Sequence, residues 1–349
     1  MDRKNIAIIF GGCSPEYEVS LNSASSVIKH INNDLYNTIL IGITKEGEWL
    51  RYFGDVDKIS NNTWYQEKGC NPVAFSQSPS IHGFYEFSEE SSSITFVDAA
   101  FPVLHGRNGE DGTVQGMLKL AGIPFVGCGI LSSAMCMDKD IAHRIAQSSG
   151  VCVPKSISAD KTMLLKDIIN QAETLRYPVF VKPARAGSSF GISRVIDRAE
   201  LEKAIINAFE YDSKIVIEEN IDGFEVGCAI LGNDNLVIGE VDEIELQSGI
   251  FDYNEKYTLK TSKIHMPARI DTVTAERIKD TARILYNALC CTGFARVDMF
   301  LTPKGEIVFN EVNTIPGFTA HSRYPNMLRG VGLSFASIVE RLIRMAIEK

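Results

Sequence analysis

Apolar residues arrive in short continuous blocks along the first third of the chain. Residues 6–10 are uninterrupted and run into Gly11-Gly12, the pattern of a buried strand feeding a tight turn. The spacing then changes: Val19, Leu21, Ala24, Val27, Ile28 and Ile31 recur at near-helical intervals, and residues 39–43 are again a strand-like block. Strand, helix and strand in that order predict a βαβ opening. Residues 54–95 lose the pattern; polar with scattered aromatics, they read as a variable loop region. Regularity resumes at Phe101, where FPVLHG ends an apolar strand and GMLKLAGIPFVGCG gives a helix, a glycine stop and another strand, closing a first domain near Gly129.

A second unit opens with a helix over residues 138–150. It continues with a strand over 177–182, the loop ARAGSSFG and a strand over 192–196, which together predict a hairpin. A helix over 200–209 and a strand over 215–219 follow, and the polar turn 220–223 marks the next boundary. Beyond it, residues 226–231, 236–241, 294–300 and 306–310 read as strands, and 275–289 and 333–347 as long helices. The expected division is therefore 1–128, 129–224 and 225–349, in an α/β chain (α+β overall).

A length of 349 residues suits three domains, and 45% hydrophobic with 23% charged residues is a globular composition that folds throughout. The net charge of -9 argues against a nucleic-acid partner, which requires clustered Lys and Arg, but leaves room for a local cationic nucleotide site. None of the eight cysteines forms a Cys-x-x-Cys pair. Six of them (Cys13, Cys128, Cys136, Cys152, Cys228, Cys290) lie in or beside apolar stretches and are read as reduced core thiols. No apolar run approaches the ~20 residues of a membrane span, so no membrane insertion and a cytoplasmic location are expected.

Two constellations carry chemistry. Gly187-Ser188-Ser189-Phe190-Gly191, between two apolar strands, has the glycines that let backbone N–H groups approach a polyphosphate, although an ordinary hairpin turn has the same make-up. Lys182, ending the preceding strand, brings an ammonium within reach of the same phosphates. Neither a Walker loop nor a Rossmann glycine fingerprint occurs. Asp298 and Glu311 fall in the apolar strands RVDMF and IVFNEVN, and Asn313 alternates onto the face of Glu311. Buried carboxylates need a cation: either Arg296 or a lysine in salt bridges, or two divalent ions, Mg²⁺ or Mn²⁺, clamped by hard oxygen ligands against phosphates. Arg296, two residues before Asp298, faces the same way, to stabilise an oxyanion or to balance the acids.

In order along the chain, GGCSPEYEVSLNS, HGRNGEDG, MDK, VKPARAGSSFG, IEE, GFEVG, NEKY, RVDMF and FNEVNTIPGFT resemble the motifs of the D-alanine:D-alanine ligases of the ATP-grasp superfamily. The resemblance covers essentially the whole chain. It implies a Rossmann-like, parallel-sheet N-terminal domain that binds substrate, and a nucleotide held between two mostly antiparallel sheets. ATP would meet Lys139, Lys182, Glu218, Glu219 and Glu225, with Ser188 and Ser189 in the phosphate loop, while Asp298, Glu311 and Asn313 hold the ions. Glu16 would take the ammonium of the first D-alanine, with His105 nearby and with Ser188 and Tyr257 in its hydrogen-bonded group. Lys256, from a covering loop, would meet the transferred phosphoryl group, and Arg296 and the N–H of Gly317 would form the oxyanion hole. A homodimer is also implied.

The segment PGFTAHSRYP places Arg323 after Ser322, similar to the vancomycin-resistance ligases, while FDYNEKY keeps Tyr257 and lacks the histidine of the D-lactate-forming ones. The combination resembles the D-alanine:D-serine ligases of the VanG type, with Arg323, Asp242 and Phe251 shaping a pocket for one extra hydroxyl. Such a group, buried without a partner, costs ~1–3 kcal/mol. The alternatives are a housekeeping D-alanine:D-alanine ligase, another carboxylate-amine ligase, a non-catalytic nucleotide-binding regulator on the same fold, and Arg323 as a surface or dimer contact.

Overall fold

The computed structural model describes residues 3–66, 69–187, 190–246 and 262–348. The predicted opening is present: β1 (Lys4–Gly11), α1 (Tyr17–His30) and β2 (Tyr36–Ile43), with the two strands parallel and Ile8 opposite Leu40. β1 reads as continuously apolar because both of its faces are covered. Ile6, Ile8 and Phe10 pack with Leu21, Ala24 and Val27 of α1, whereas Ala7 and Ile9 pack on the other side with Val114 and Leu118.

Residues 54–95 are not a loop region. After β3 (Trp49–Tyr52), a short helix α2 (Val56–Ser60) and a 3₁₀ turn (Trp64–Gln66) lead to β4 (Asn71–Phe75), β5 (Gly83–Phe87) and β6 (Ser92–Phe96). With β7 (Ala99–Val103) they complete a seven-stranded sheet ordered β6-β5-β4-β3-β2-β1-β7. Parallel pairing is confined to β2-β1-β7; the added strands are antiparallel. They escape a periodicity reading because they are four or five residues long and β6 is exposed along most of its length. Trp64 anchors this region. It is fully buried, its indole N–H donates to the Tyr17 hydroxyl (3.1 Å), and its ring stands edge-on to Phe10 and Tyr52.

Three helices follow: α3 (Thr113–Leu120), α4 (Ile130–Met137) and α5 (Lys139–Ser148), the last capped by the Asp138 carboxylate, which accepts from the N–H of Ile141. β8 (Ser156–Asp160), α6 (Leu165–Ala172), β9 (Val179–Pro183), β10 (Ser193–Val195), α7 (Arg198–Tyr211) and β11 (Lys214–Glu219) form an antiparallel sheet, β10-β9-β11-β8, backed by α6 and α7. β9 and β10 pair as the predicted hairpin.

The rest of the chain builds a second antiparallel sheet. β12 (Phe224–Leu231), β13 (Val237–Leu246), β14 (Ser262–His265), α8 (Thr272–Ala288), β15 (Phe294–Leu301), β16 (Ile307–Asn313), α9 (Arg323–Gly330) and α10 (Phe335–Ile347) follow in order, with the strands arranged β14-β13-β12-β15-β16. The two antiparallel sheets are those expected; the first sheet, expected to be parallel, is mixed, because β3 to β6 add to its β2 edge antiparallel.

All eight cysteines are free, but the core reading fails for three: Cys13, Cys152 and Cys290 are exposed. Cys13 follows the turn after β1, and Cys290 sits at φ +53 just beyond α8, so apolar neighbours in sequence do not carry them inward. Among the described residues no helix is long and apolar enough to cross a membrane. Replacing Trp64 with Ala should cost about 3 to 5 kcal/mol, measured as a lower urea midpoint; a loss below about 1 kcal/mol would show that residues 54–95 hold to the sheet without it.

Candidate functional site

The three sheets bring their loops to one place. A cavity of about 230 Å³ is walled by Glu16 and His105 from the first sheet's loops, Lys139 and Gly187 from the middle of the chain, and Arg296, Glu311, Asn313, Gly317, Ser322 and Arg323 from the last part. A second cavity of about 470 Å³ is lined by Lys182, Glu218, Glu219 and Glu225, with Phe180, Phe224 and Phe300 among its apolar walls. Lys139, Ala186 and Glu311 belong to both. A ligand in the larger chamber can therefore meet one in the smaller at an ammonium and a carboxylate.

Glu16 stands at the start of α1, on the turn the glycines after β1 make, and is 8% exposed. Gly187 lies against its carboxylate so closely that a Cβ there would fall 2.5 Å from Oε2, so a side chain at this position would push the Glu16 carboxylate aside. Lys139 opens α5. Its ammonium donates to the Ala186 carbonyl (2.9 Å) and lies 3.7 Å from the Glu311 carboxylate. Lys182 on β9 pairs with Glu218 on β11, neighbours across an antiparallel ladder. The other oxygen of Glu218, Oε2, is buried without a hydrogen-bond partner among the described residues, an acceptor that suits an N–H or O–H of a bound group. Glu219 accepts from the N–H of Lys155 (3.0 Å).

Asp298 and Glu311 sit directly opposite one another on β15 and β16, and Arg296 sits opposite Asn313. A bulge just beyond this pair shifts the register, and Glu311 lines both cavities. Asp298 is 1% exposed. Its carboxylate takes the Arg296 fork (2.7 to 3.1 Å) and the Asn313 amide (2.8 Å). Asp298 is thus paired with Arg296 and Glu311, at longer range, with Lys139, while Glu311 and Asn313 line the smaller cavity. Among the described residues no three His, Cys, Asp or Glu cluster as a metal site, because the third donor here is an amide. Two carboxylates and an amide oxygen are nevertheless the hard ligands a magnesium-sized ion takes, and the donor set fits one.

Arg323 is not a surface residue. It opens α9 at 8% exposure, its fork clasps Asp242 (2.7 Å twice), and its third nitrogen reaches Glu225 (2.8 Å) and lies 3.5 Å from Asp298. Burial works against both guanidinium charges, yet the neighbouring acids, Asp298 for Arg296 and Asp242 for Arg323, hold both above the usual arginine range. Ser322 accepts from the N–H of Thr319 (3.0 Å) at the cavity rim. Ser188, Ser189, Phe251, Lys256 and Tyr257 lie outside the described residues.

One residue escaped the sequence reading. Glu110, in HGRNGEDG, lines the smaller cavity, and burial together with Glu16 pushes its carboxyl up to about 8. The available signal was an acid inside a glycine-rich turn directly after a buried strand.

Comparison with known proteins follows the same lines. A model described as D-ala D-ala ligase N-terminus matches residues 5–128, and one described as D-ala D-ala ligase C-terminus matches residues 146–344. The vancomycin/teicoplanin A-type resistance protein VanA of Enterococcus faecium is 44% identical over 353 residues, covering 100% of both chains. The D-alanine–D-alanine ligase of Acetivibrio thermocellus is 42% identical over 100% of this chain and 97% of its own. Among solved structures, the VanG D-Ala:D-Ser ligase from Enterococcus faecalis is 56% identical, with a TM-score of 0.92 over 99% of this chain and 100% of that one.

Burial holds the His105 imidazole down to about 4, whereas in the unfolded chain it takes its proton near 6.5. Unfolding therefore takes up a proton between these values, and stability falls as pH falls through that window. Between about pH 7 and pH 5 the expected loss is roughly 2 kcal/mol, absent in His105→Gln. Urea midpoints at both pH values check this; identical pH responses in the two proteins would contradict it.

Proposed function

Because the chain belongs to the D-alanine–D-alanine ligase family, ATP-dependent enzymes that form a peptide bond, we propose that it joins D-alanine to D-serine through a D-alanyl phosphate intermediate. The observation that carries the choice of second substrate is the buried Arg323 in the wall of the smaller cavity, oriented by Asp242 and Glu225. Three of its five N–H groups are bound to those acids, which fixes the plane of the fork and leaves capacity for a serine hydroxyl. The VanG D-Ala:D-Ser ligase, at 56% identity, supports the same reading. The division 1–128, 129–224 and 225–349 is part of it, the smaller cavity lying where the three parts meet.

ATP occupies the larger chamber in this reading, with its phosphates toward Lys139 and Lys182. Glu16 binds the ammonium of the first D-alanine by opposite charge and so turns its carboxylate toward the shared wall. Asp298, Glu311 and Asn313 would hold two divalent cations, magnesium or manganese, which supply neutralisation of charge on the phosphates. The D-alanine carboxylate attacks the γ-phosphorus in line, ADP leaves, and an acyl phosphate remains. The amine of D-serine then attacks the acyl carbon. The tetrahedral oxyanion is met by Arg296 and the N–H of Gly317, and phosphate leaves as the peptide bond forms. As the family resemblance implies, Ser188 and Tyr257 would join Glu16, and Lys256 would meet the transferred group and help keep water from the acyl phosphate. The same reading makes the enzyme a cytoplasmic homodimer whose product enters peptidoglycan precursors, and, as the names of its relatives suggest, a vancomycin-resistance determinant.

The test holds D-alanine fixed while D-serine, D-alanine and D-lactate compete, and reads both phosphate release and product. D-alanyl-D-serine is expected to dominate at neutral pH. Arg323→Met, where it folds, should lower the serine share of the product about tenfold or more. Dominant D-alanyl-D-alanine in the wild type would instead assign the housekeeping activity, and an unchanged ratio in the variant would remove the role of the guanidinium.

A further inference from the structure

Ile315 lies between Asn313 and Gly317, so its position decides where the proposed oxyanion donor stands. Both of its main-chain groups are held by the stretch after β7. Its N–H donates to Glu110 Oε1 (3.0 Å), and its carbonyl accepts from the ring N–H of His105. Three residues on, the N–H of Phe318 donates to Ser23 Oγ (3.1 Å) on α1, itself 3.3 Å from His105 Nε2. The second oxygen of Glu110 turns the other way and accepts from the N–H of Gly106 (2.8 Å). Gly106 has φ +72 and presses on the ammonium pocket: a Cβ there would sit 2.7 Å from Glu16 Oε2 and 2.6 Å from Ser14 Oγ. One carboxylate therefore joins the turn behind Glu16 to the strand end that leads to Gly317.

We propose that Glu110 is a positioning residue for the peptide-forming step: by accepting one backbone N–H from each side, it sets the spacing between the ammonium pocket at Glu16 and the oxyanion donor at Gly317. The proposal rests on the ligase reading of the site. The geometry asks for two acceptor oxygens, which a carboxyl group offers with or without its proton. Two N–H donors converge from opposite sides, so both oxygens must accept; glutamine would turn an amide N–H₂ toward one donor, and aspartate is one methylene short.

Losing this tie acts mainly on the second half of the reaction. Phosphoryl transfer depends on Lys139 and Lys182, which Glu110 does not touch, whereas a displaced Gly317 N–H weakens stabilisation of the tetrahedral oxyanion. Misplacement of a donor by about 1 Å, or its loss, costs on the order of 10²-fold in rate. An acyl phosphate that waits for the amine is open to water: hydroxyl adds to the acyl carbon, phosphate leaves, and D-alanine is regenerated with ATP spent. The signature is ADP formed in excess of dipeptide.

The experiment follows ADP and dipeptide together in wild type, Glu110→Gln and Glu110→Ala, with melting temperature and the KM for ATP. Wild type should form them one to one. Glu110→Gln should lose about tenfold or more in kcat for dipeptide, with ADP in excess and the KM for ATP within about twofold. Glu110→Ala, where it folds, should lose on the order of 10²-fold. Wild-type kcat in Glu110→Gln, or ADP and dipeptide falling in step in both variants, overturns the proposal. A wild-type protein that makes no dipeptide from any pair of D-amino acids overturns the ligase reading, and this proposal with it.

Discussion

Asp298 carries a negative charge in the interior of a sheet, and much of the site is arranged around making that tolerable. A carboxylate so buried would cost several kcal/mol unless paired and hydrogen-bonded. Arg296 supplies the fork from the same strand, Asn313 donates from the strand opposite, and Arg323 stands 3.5 Å away. Arg323 in turn needs Asp242 on β13 and Glu225 on β12. The network thus ties the start of α9 to three strands of one sheet. Removing any one of the charged members leaves an uncompensated charge, at a stability cost of about 3 to 5 kcal/mol.

The same network explains where the two chambers meet. Opposite Asp298 in the sheet, Glu311 faces Lys139 at the opening of α5. Lys139 is held by the Ala186 carbonyl, and Gly187 follows against Glu16. From the buried acid to Glu16 runs a series of neighbours drawn from all three parts of the chain.

Much of this was legible in the sequence, for physical reasons that differ between elements. β1 and α1 declared themselves by burial on two faces and on one. RVDMF and IVFNEVN declared themselves because a carboxylate inside an apolar strand has no neutral explanation. Strands β3 to β6 did not, since short antiparallel strands with one wet face leave too few apolar positions to count. The pairing of Arg323 with Asp242 was invisible, 81 residues apart, and only the sheet register joins them. Glu110 was hidden for a related reason: its partners are backbone N–H groups, which have no letter in a sequence. Cys13, Cys152 and Cys290 show the opposite error, where apolar neighbours in the chain were mistaken for neighbours in space.

That Asp298, Glu311 and Asn313 present a divalent cation to the terminal phosphates of a nucleotide is the claim on which the chemistry turns. Calorimetric titration of a non-hydrolysable ATP analogue, with and without Mg²⁺, into wild type and Glu311→Gln addresses it without any turnover. Mg²⁺ is expected to tighten binding to wild type by about tenfold or more, roughly 1.4 kcal/mol, and to do little for the variant. Equal affinity in wild type with Mg²⁺ present and with all divalent ions chelated would contradict it.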